Sequence, residues 1–262
     1  MRLLRTLSAC ACIAASLLLA ACHSMPDQSA SSATAGAVTL DSLAIPVSAE
    51  ENRAVSFTNK RSAYYYTQTH RTEHPEHAHF RGFNIAGRRI FSDYWLIVAG
   101  AALDPQTATV IVRPDALIRT YPQGITETLR LLDGQDVVEV EVSGAKDDVT
   151  LQLSGDTVAH VQSAQGIDEF TATQAGDSIA VDHIVVGRSG NRFLIAVGSS
   201  REAARTLHDR AVASAPAWQD ARSERLAAVI NDDHYLSSDD PRLTEALRWI
   251  QLTTDALVTR QR

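Results

Sequence analysis

Between residues 51 and 198, apolar and polar side chains alternate with a period of two in one short run after another. Val138, Val140 and Val142 alternate with Glu139 and Glu141, the pattern of a half-buried strand whose acids face solvent. Val149, Leu151 and Leu153 repeat it, as do Ile125, Glu127, Leu129 and Leu131. Ile90 to Val98 and Phe193 to Val197 are apolar on both faces, as central strands of packed sheets are. Asp104-Pro105, Arg113-Pro114, Tyr121-Pro122, Asp133-Gly134 and Ser154-Gly155 punctuate the runs with turn chemistry. About a dozen strands without intervening helices predict a mainly β fold, a large antiparallel β-sandwich over 51–198.

At Ser199 the period changes. Ser200 is placed to cap a helix through Ala203, Ala204, Leu207 and Val212, which Pro216 is expected to end. A second stretch, Trp218 to Ile230, completes a helical linker over 199–235. The segment 236–262 holds a third helix, with Asp240 as its cap and Pro241 in its first turn. Leu243, Leu247, Ile250 and Leu257 mark one apolar face, with Trp249 beside it. The sequence stops at Arg262, so that face is expected to be incompletely covered.

The first 50 residues read differently. Arg2 and Arg5 precede an apolar run from Thr6 to Ala21 that is too short to span a bilayer, as in a secretory signal. Leu19-Ala20-Ala21-Cys22 resembles a bacterial lipobox, which predicts a signal peptide over 1–21 and lipidation of Cys22. The rival string Leu7-Ser8-Ala9-Cys10 has almost no apolar run before it, because Arg5 intervenes. His23 stands where an Asp would favour inner-membrane retention, so the expected location is the cell envelope, anchored to the outer membrane and facing the periplasm. Residues 22–50 are rich in Ser, Ala and Thr and read as a flexible tether reaching on the order of 30 Å.

Removing the signal leaves 241 residues, enough for a large core, and takes the formal charge from −7 to −9. No basic stripe survives, which argues against nucleic acid as a partner. Cys10, Cys12 and Cys22 are the only cysteines, so the expected mature domain has neither a disulfide nor a thiolate metal site.

A family resemblance runs through most of residues 51–262. Its strings are Phe57-Thr58-Asn59-Lys60-Arg61-Ser62 with Tyr64-Tyr65-Tyr66, Gly82-Phe83-Asn84-Ile85-Ala86 and Ile90-Phe91-Ser92-Asp93-Tyr94. Arg113-Pro114-Asp115, Arg119-Thr120-Tyr121-Pro122-Gln123-Gly124 and Glu127-Thr128 follow, then Ser238 to Leu243 and Ala246 to Ile250. In that order they resemble the N-terminal part of bacterial glycogen-debranching-type enzymes, the amylo-α-1,6-glucosidase family. The resemblance implies a β-sandwich followed by an α/α barrel that supplies the catalytic carboxylates for α-glucan hydrolysis. Here only what resembles the barrel's first helix is present, so no catalytic residue carries over. The implied partners are the membrane through Cys22, an α-glucan or oligosaccharide, and either a separate barrel chain or a second copy on the last helix. The alternative is a non-catalytic lipoprotein that binds glycan or protein.

Other candidate chemistry is sparse, and neither a cofactor nor a catalytic residue is assigned. His70, His74, His77 and His79 cluster around Pro75 at a spacing that suits zinc or copper. They lack the HExxH order and read as a polar hairpin loop, so no metal site is expected. Tyr64, Tyr65, Tyr66, Tyr94 and Trp95 offer sugar-stacking faces or core packing, and Tyr65 must face away from its two neighbours. Asn84, Asp93 and Arg119 are candidates for the seam between sandwich and barrel, or for turn hydrogen bonds. Glu139 and Glu141 are too close and too solvated to divide into acid and base. Gly187-Arg188-Ser189-Gly190 reads as a hairpin turn, and no Gly-x-Ser-x-Gly nucleophile elbow occurs.

The lipobox makes a direct prediction. Cys22→Ala should leave an unprocessed, unlipidated precursor; fatty-acid labelling and membrane fractionation of the variant check this, and a labelled, membrane-bound variant contradicts it.

Overall fold

The alternating runs pair as predicted into antiparallel sheets. The structure, a computed structural model, describes residues 38–71, 79–174, 180–232 and 238–259. Cys22, His74, His77 and the signal lie outside them. The chain is mainly β, a large antiparallel sandwich followed by C-terminal helices.

The wide layer has nine strands. It contains β1 (Ile45–Val47), β8 (Thr109–Val112), β9 (Leu117–Thr120), β10 (Thr126–Leu131) and β11 (Val137–Ser143). The order continues through β16 (Arg192–Gly198), β15 (Ala180–Ser189), β14 (Ile167–Gln174) and β13 (Val158–Ala164). A four-stranded sheet joins β2 (Ala54–Thr58), β3 (Ala63–Gln68), β4 (Gly82–Ile85) and β5 (Arg88–Phe91). A three-stranded sheet joins β12 (Val149–Ser154), β6 (Asp93–Val98) and β7 (Ala101–Ala102). Side chains from all three sheets meet in one apolar core, including Phe57, Phe83, Leu96, Leu151, Leu129, Val140 and Ile195. The run Ile90 to Val98 is two strands rather than one. Ser92 breaks it, and its N–H and hydroxyl both donate to the Ser154 carbonyl, carrying the chain from one small sheet to the other.

The helices differ from the sequence reading in one instructive way. Helix α1 (Arg201–Ile230) is a single 30-residue helix that runs through Pro216. Ser200 caps it as expected, accepting from Ala203 N–H. An interior proline removes one backbone hydrogen bond and typically costs ~3 kcal/mol. Here the carbonyl it frees belongs to Val212, on the exposed side, where water can satisfy it. Buried contacts on both sides of Pro216 hold the helix straight on: Ala211 and Ala215 before it, Arg222 and Leu226 after it. Helix α2 (Pro241–Leu257) starts as its sequence predicts, with the Asp240 side chain accepting from Arg242 N–H. No helix of the described residues is long and apolar enough to cross a membrane.

Helix α1 lies across the outer face of the wide sheet. Val137, Leu194 and Ala196 point to it while Val138, Phe193, Ile195 and Val197 point to the sandwich core. Both faces of β11 and β16 are therefore dry, and Glu139 is buried beneath the helix rather than solvated. Two glycines admit this close approach. A Cβ on Gly187 would sit 2.3 Å from Nε2 of buried His208, and one on Gly198 would sit 2.5 Å from the Ala204 backbone nitrogen.

Residues ahead of the expected boundary at residue 51 also belong to the sandwich. Residues 38–50, assigned to the tether, contain a 3-10 turn at Asp41–Leu43 and strand β1, which pairs with β8. Leu40 and Leu43 are buried against Leu226, Ile230 and Leu252, at the junction of the two helices. Val38 to Val47 holds five large apolar residues, enough to be worth burying.

Candidate functional site

Two polar clusters gather most of the distinctive residues, one inside the sandwich and one at its seam with the helices.

The inner cluster starts from register. Strands β9 and β10 pair Arg119 opposite Glu127, and both side chains turn inward; they are 0% and 1% exposed. Their ions meet at 2.8 Å. Arg119 also donates to the carbonyls of Thr69 (2.8 Å) and Gln68 (3.0 Å), tying the wide sheet to the end of β3. The hydroxyls of Tyr94 and Tyr121 donate to the two oxygens of Glu127. Arg71 lies 3.8 Å from Glu127 and 3.3 Å from Asp93, with its guanidinium 4.6 Å above the Tyr94 ring. Arg81 pairs with the other side of Asp93. Burial pushes the Glu127 carboxyl up, but Arg119, Arg71 and the two tyrosine hydroxyls outweigh it and hold it below its ordinary value of 4.5. Burial pushes the Tyr94 and Tyr121 hydroxyls well up, so they remain neutral donors to Glu127.

Such a carboxylate, 1% exposed and already accepting three hydrogen bonds, is out of reach of a substrate. The cluster is a closed ionic rivet between sheets, and it places Asp93 and Arg119 inside the sandwich rather than along a seam with helices. Asn84 is likewise internal, donating to the Phe80 and Gly82 carbonyls (both 3.0 Å). Tyr65 is a core residue against Phe91 and Tyr94, with Tyr64 and Tyr66 half-buried on the opposite face. His70 is buried beside Thr69, whereas His79 is exposed and packs on Phe80. Among the described residues no group of His, Cys, Asp or Glu is arranged to hold a metal ion.

The second cluster lies where β2, the turn after it, α1 and α2 converge. Arg222 donates to Asp133 and to the Thr58 carbonyl (3.1 Å). Arg225, one turn on, bridges Asp133 (2.8 Å) and Asp255 of α2. Lys60 reaches the same Asp255 at 3.2 Å, and Thr58 donates to the Ala256 carbonyl at 3.1 Å. Asn59, fully buried, donates to Asp136 (2.9 Å) and accepts from Arg61 and Ala63 N–H groups, fixing that turn. Burial pushes Arg222 down from the usual arginine value, partly offset by Asp133. Beside this clasp opens a cleft of about 430 Å³ walled by Val55, Phe57, Val112, Leu226, Trp249 and Leu252. None of Arg222, Arg225, Asp133 and Trp249 was singled out as a site residue from sequence. The available signal was the one-turn spacing of Arg222 and Arg225 on a helix otherwise rich in alanine.

Among the described residues, several carboxyl pairs are bridged by guanidinium groups. Arg71 bridges Asp93 and Glu127, Arg130 bridges Glu139 and Glu141, and Arg225 bridges Asp133 and Asp255. Glycoside hydrolysis needs two carboxyls facing across an open gap, which none of these pairs provides.

Comparison with known proteins adds no relative. No family model, curated protein or solved structure matches the chain.

The inner cluster sets the acid sensitivity of the fold. Because the Glu127 carboxyl is depressed in the folded state, its stabilisation is present above about pH 4.5 and is lost as pH falls through the lower folded value. Glu127→Gln should cost about 3–5 kcal/mol at pH 7, by leaving Arg119 uncompensated, and flatten the acid limb. Denaturant melts at pH 7 and pH 3.5 read both effects; an unchanged acid limb contradicts the assignment.

Proposed function

We propose that this chain is the lipid-anchored sandwich module of a glycogen-debranching-like glycoside hydrolase, inactive alone and serving to seat a helical catalytic barrel. One observation carries the reading. Helix α2 has two apolar sides, and among the described residues only one of them is covered. Its inner side is buried through Leu252 and half-buried Trp249 against Leu40, Leu226 and Ile230. Its outer side presents Leu243, Ile250 and Leu257, spaced seven residues apart and 51%, 60% and 77% exposed, with Val258 at 63%. Burying side chains of this size contributes roughly 1.5–3 kcal/mol each, so the stripe is a seat with substantial energy to offer. A helix held on one side by a sandwich and free on the other suits the first helix of an α/α barrel.

The resemblance supports the same role. Two of the strings it rests on bear directly on α2: Thr58 and Lys60 of the first contact Ala256 and Asp255, and Asp240 of the Ser238–Leu243 string caps the helix. In this reading the acid and base come from the barrel, and α-glucan is hydrolysed only when the barrel is seated.

The test supplies the missing half. A catalytic barrel segment of a glycogen-debranching-type glycosidase, produced as a separate chain, should co-elute with this protein and hydrolyse α-1,6-linked glucan only in the complex. Leu243→Gln/Ile250→Gln/Leu257→Gln should abolish co-elution while shifting the melting temperature by no more than a few degrees. Glucan hydrolysis by the chain alone, or co-elution indifferent to the triple substitution, overturns the reading.

A further inference from the structure

The cleft beside the clasp has unmet needs of its own. Two of the residues that line it, Arg222 and Trp249, carry buried nitrogens with no acceptor: Nε of Arg222 and Nε1 of Trp249. No lining residue among those described has an orphaned acceptor. A buried donor left unpaired is costly, so the complementary occupant brings acceptor oxygens and need not bring donors. Charge points the same way. Of the charged residues that line the cleft, Arg53, Lys60, Arg113, Arg222 and Arg225 are basic and Asp255 alone is acidic. Their other carboxylate partners, Asp133, Asp115, Asp41 and Glu51, are not among the lining residues. The lining is thus predominantly basic where it is charged, and otherwise largely aliphatic and aromatic.

We propose that this cleft binds an amphiphile with a carboxylate head and an alkyl tail. The head accepts from the Trp249 indole and the Arg222 guanidinium, and the tail lies along Val55, Phe57, Val112 and Leu226. A neutral sugar fits less well, because it brings hydroxyl donors to walls that offer few acceptors. A cavity of this size with apolar walls and a few convergent polar groups has the make-up of a small-molecule site. The proposal is independent of the barrel reading, since the cleft is on the inner side of α2 and the seat on the outer.

Titration calorimetry of the purified chain with decanoate, below its micelle concentration, tests it. One decanoate should bind per chain, at least tenfold more tightly than 1-decanol, with no measurable binding of maltotriose. Trp249→Phe, which removes the indole donor and keeps a ring, should weaken decanoate about fivefold. Thr253→Trp, an exposed lining position on α2, should block binding without lowering the melting temperature; Ala256→Phe blocks the same wall if that variant misfolds. Equal affinity for decanoate and decanol, preference for maltotriose, or binding unaffected by both blocking variants overturns the proposal.

Discussion

Arg225 is the residue on which the functional geometry depends. Its guanidinium bridges Asp133, in the turn before β11, and Asp255 on α2, so one side chain joins sheet, first helix and second helix. It is about 30% exposed, and an exposed ion pair of this kind contributes little by itself. Here it acts with Arg222, Lys60 and the buried Asn59 turn as a network, and its consequence is orientation rather than bulk stability. It decides which side of α2 faces the sandwich, and hence both the cleft on the inner side and the leucine and isoleucine stripe on the outer.

The rest of the energy lies elsewhere. Two dry interfaces, sheet on sheet and α1 on the wide sheet, hold the body together, and the Arg119–Glu127 rivet is closed on all sides within the first. A buried ion pair is weak evidence of stability, because desolvation offsets most of its Coulomb gain, but breaking one is expensive. The rivet thus ties β3 and β6 to β9 and β10 at one register and excludes others. That division explains why the conspicuous polar residues of the sandwich are structural, while the seam supplies a cavity and α2 keeps an exposed apolar side.

Much of this was legible in the sequence and some was not. The strands, the Ser200 cap and the Asp240-Pro241 start were readable because each rests on local chemistry: alternation, a capping hydroxyl or carboxylate, a proline in a first turn. Glu139 was misread as solvated because alternation along one strand cannot reveal that a helix from sixty residues later covers its far face. Arg119 read as a seam or turn residue and Glu127 as one position of an alternating run, because local pattern cannot show the β9–β10 register that sets them opposite each other. Pro216 looked like a helix end because the propensity argument is local, whereas packing on both sides of it and the solvent-facing Val212 carbonyl are not. Strand β1 was hidden by the Ser- and Ala-rich stretch ahead of it in the sequence.

The central claim is that α2 is anchored on its inner side by the clasp while its outer side stays open. Hydrogen exchange resolved to residues 241–257 tests it most directly, comparing the natural chain with Arg225→Met. The account predicts slow exchange across α2 in the natural chain, rapid exchange there in the variant, and equal protection of β11 and β16 in both. Rapid exchange of α2 in the natural chain, or protection that survives the loss of Arg225, would contradict it.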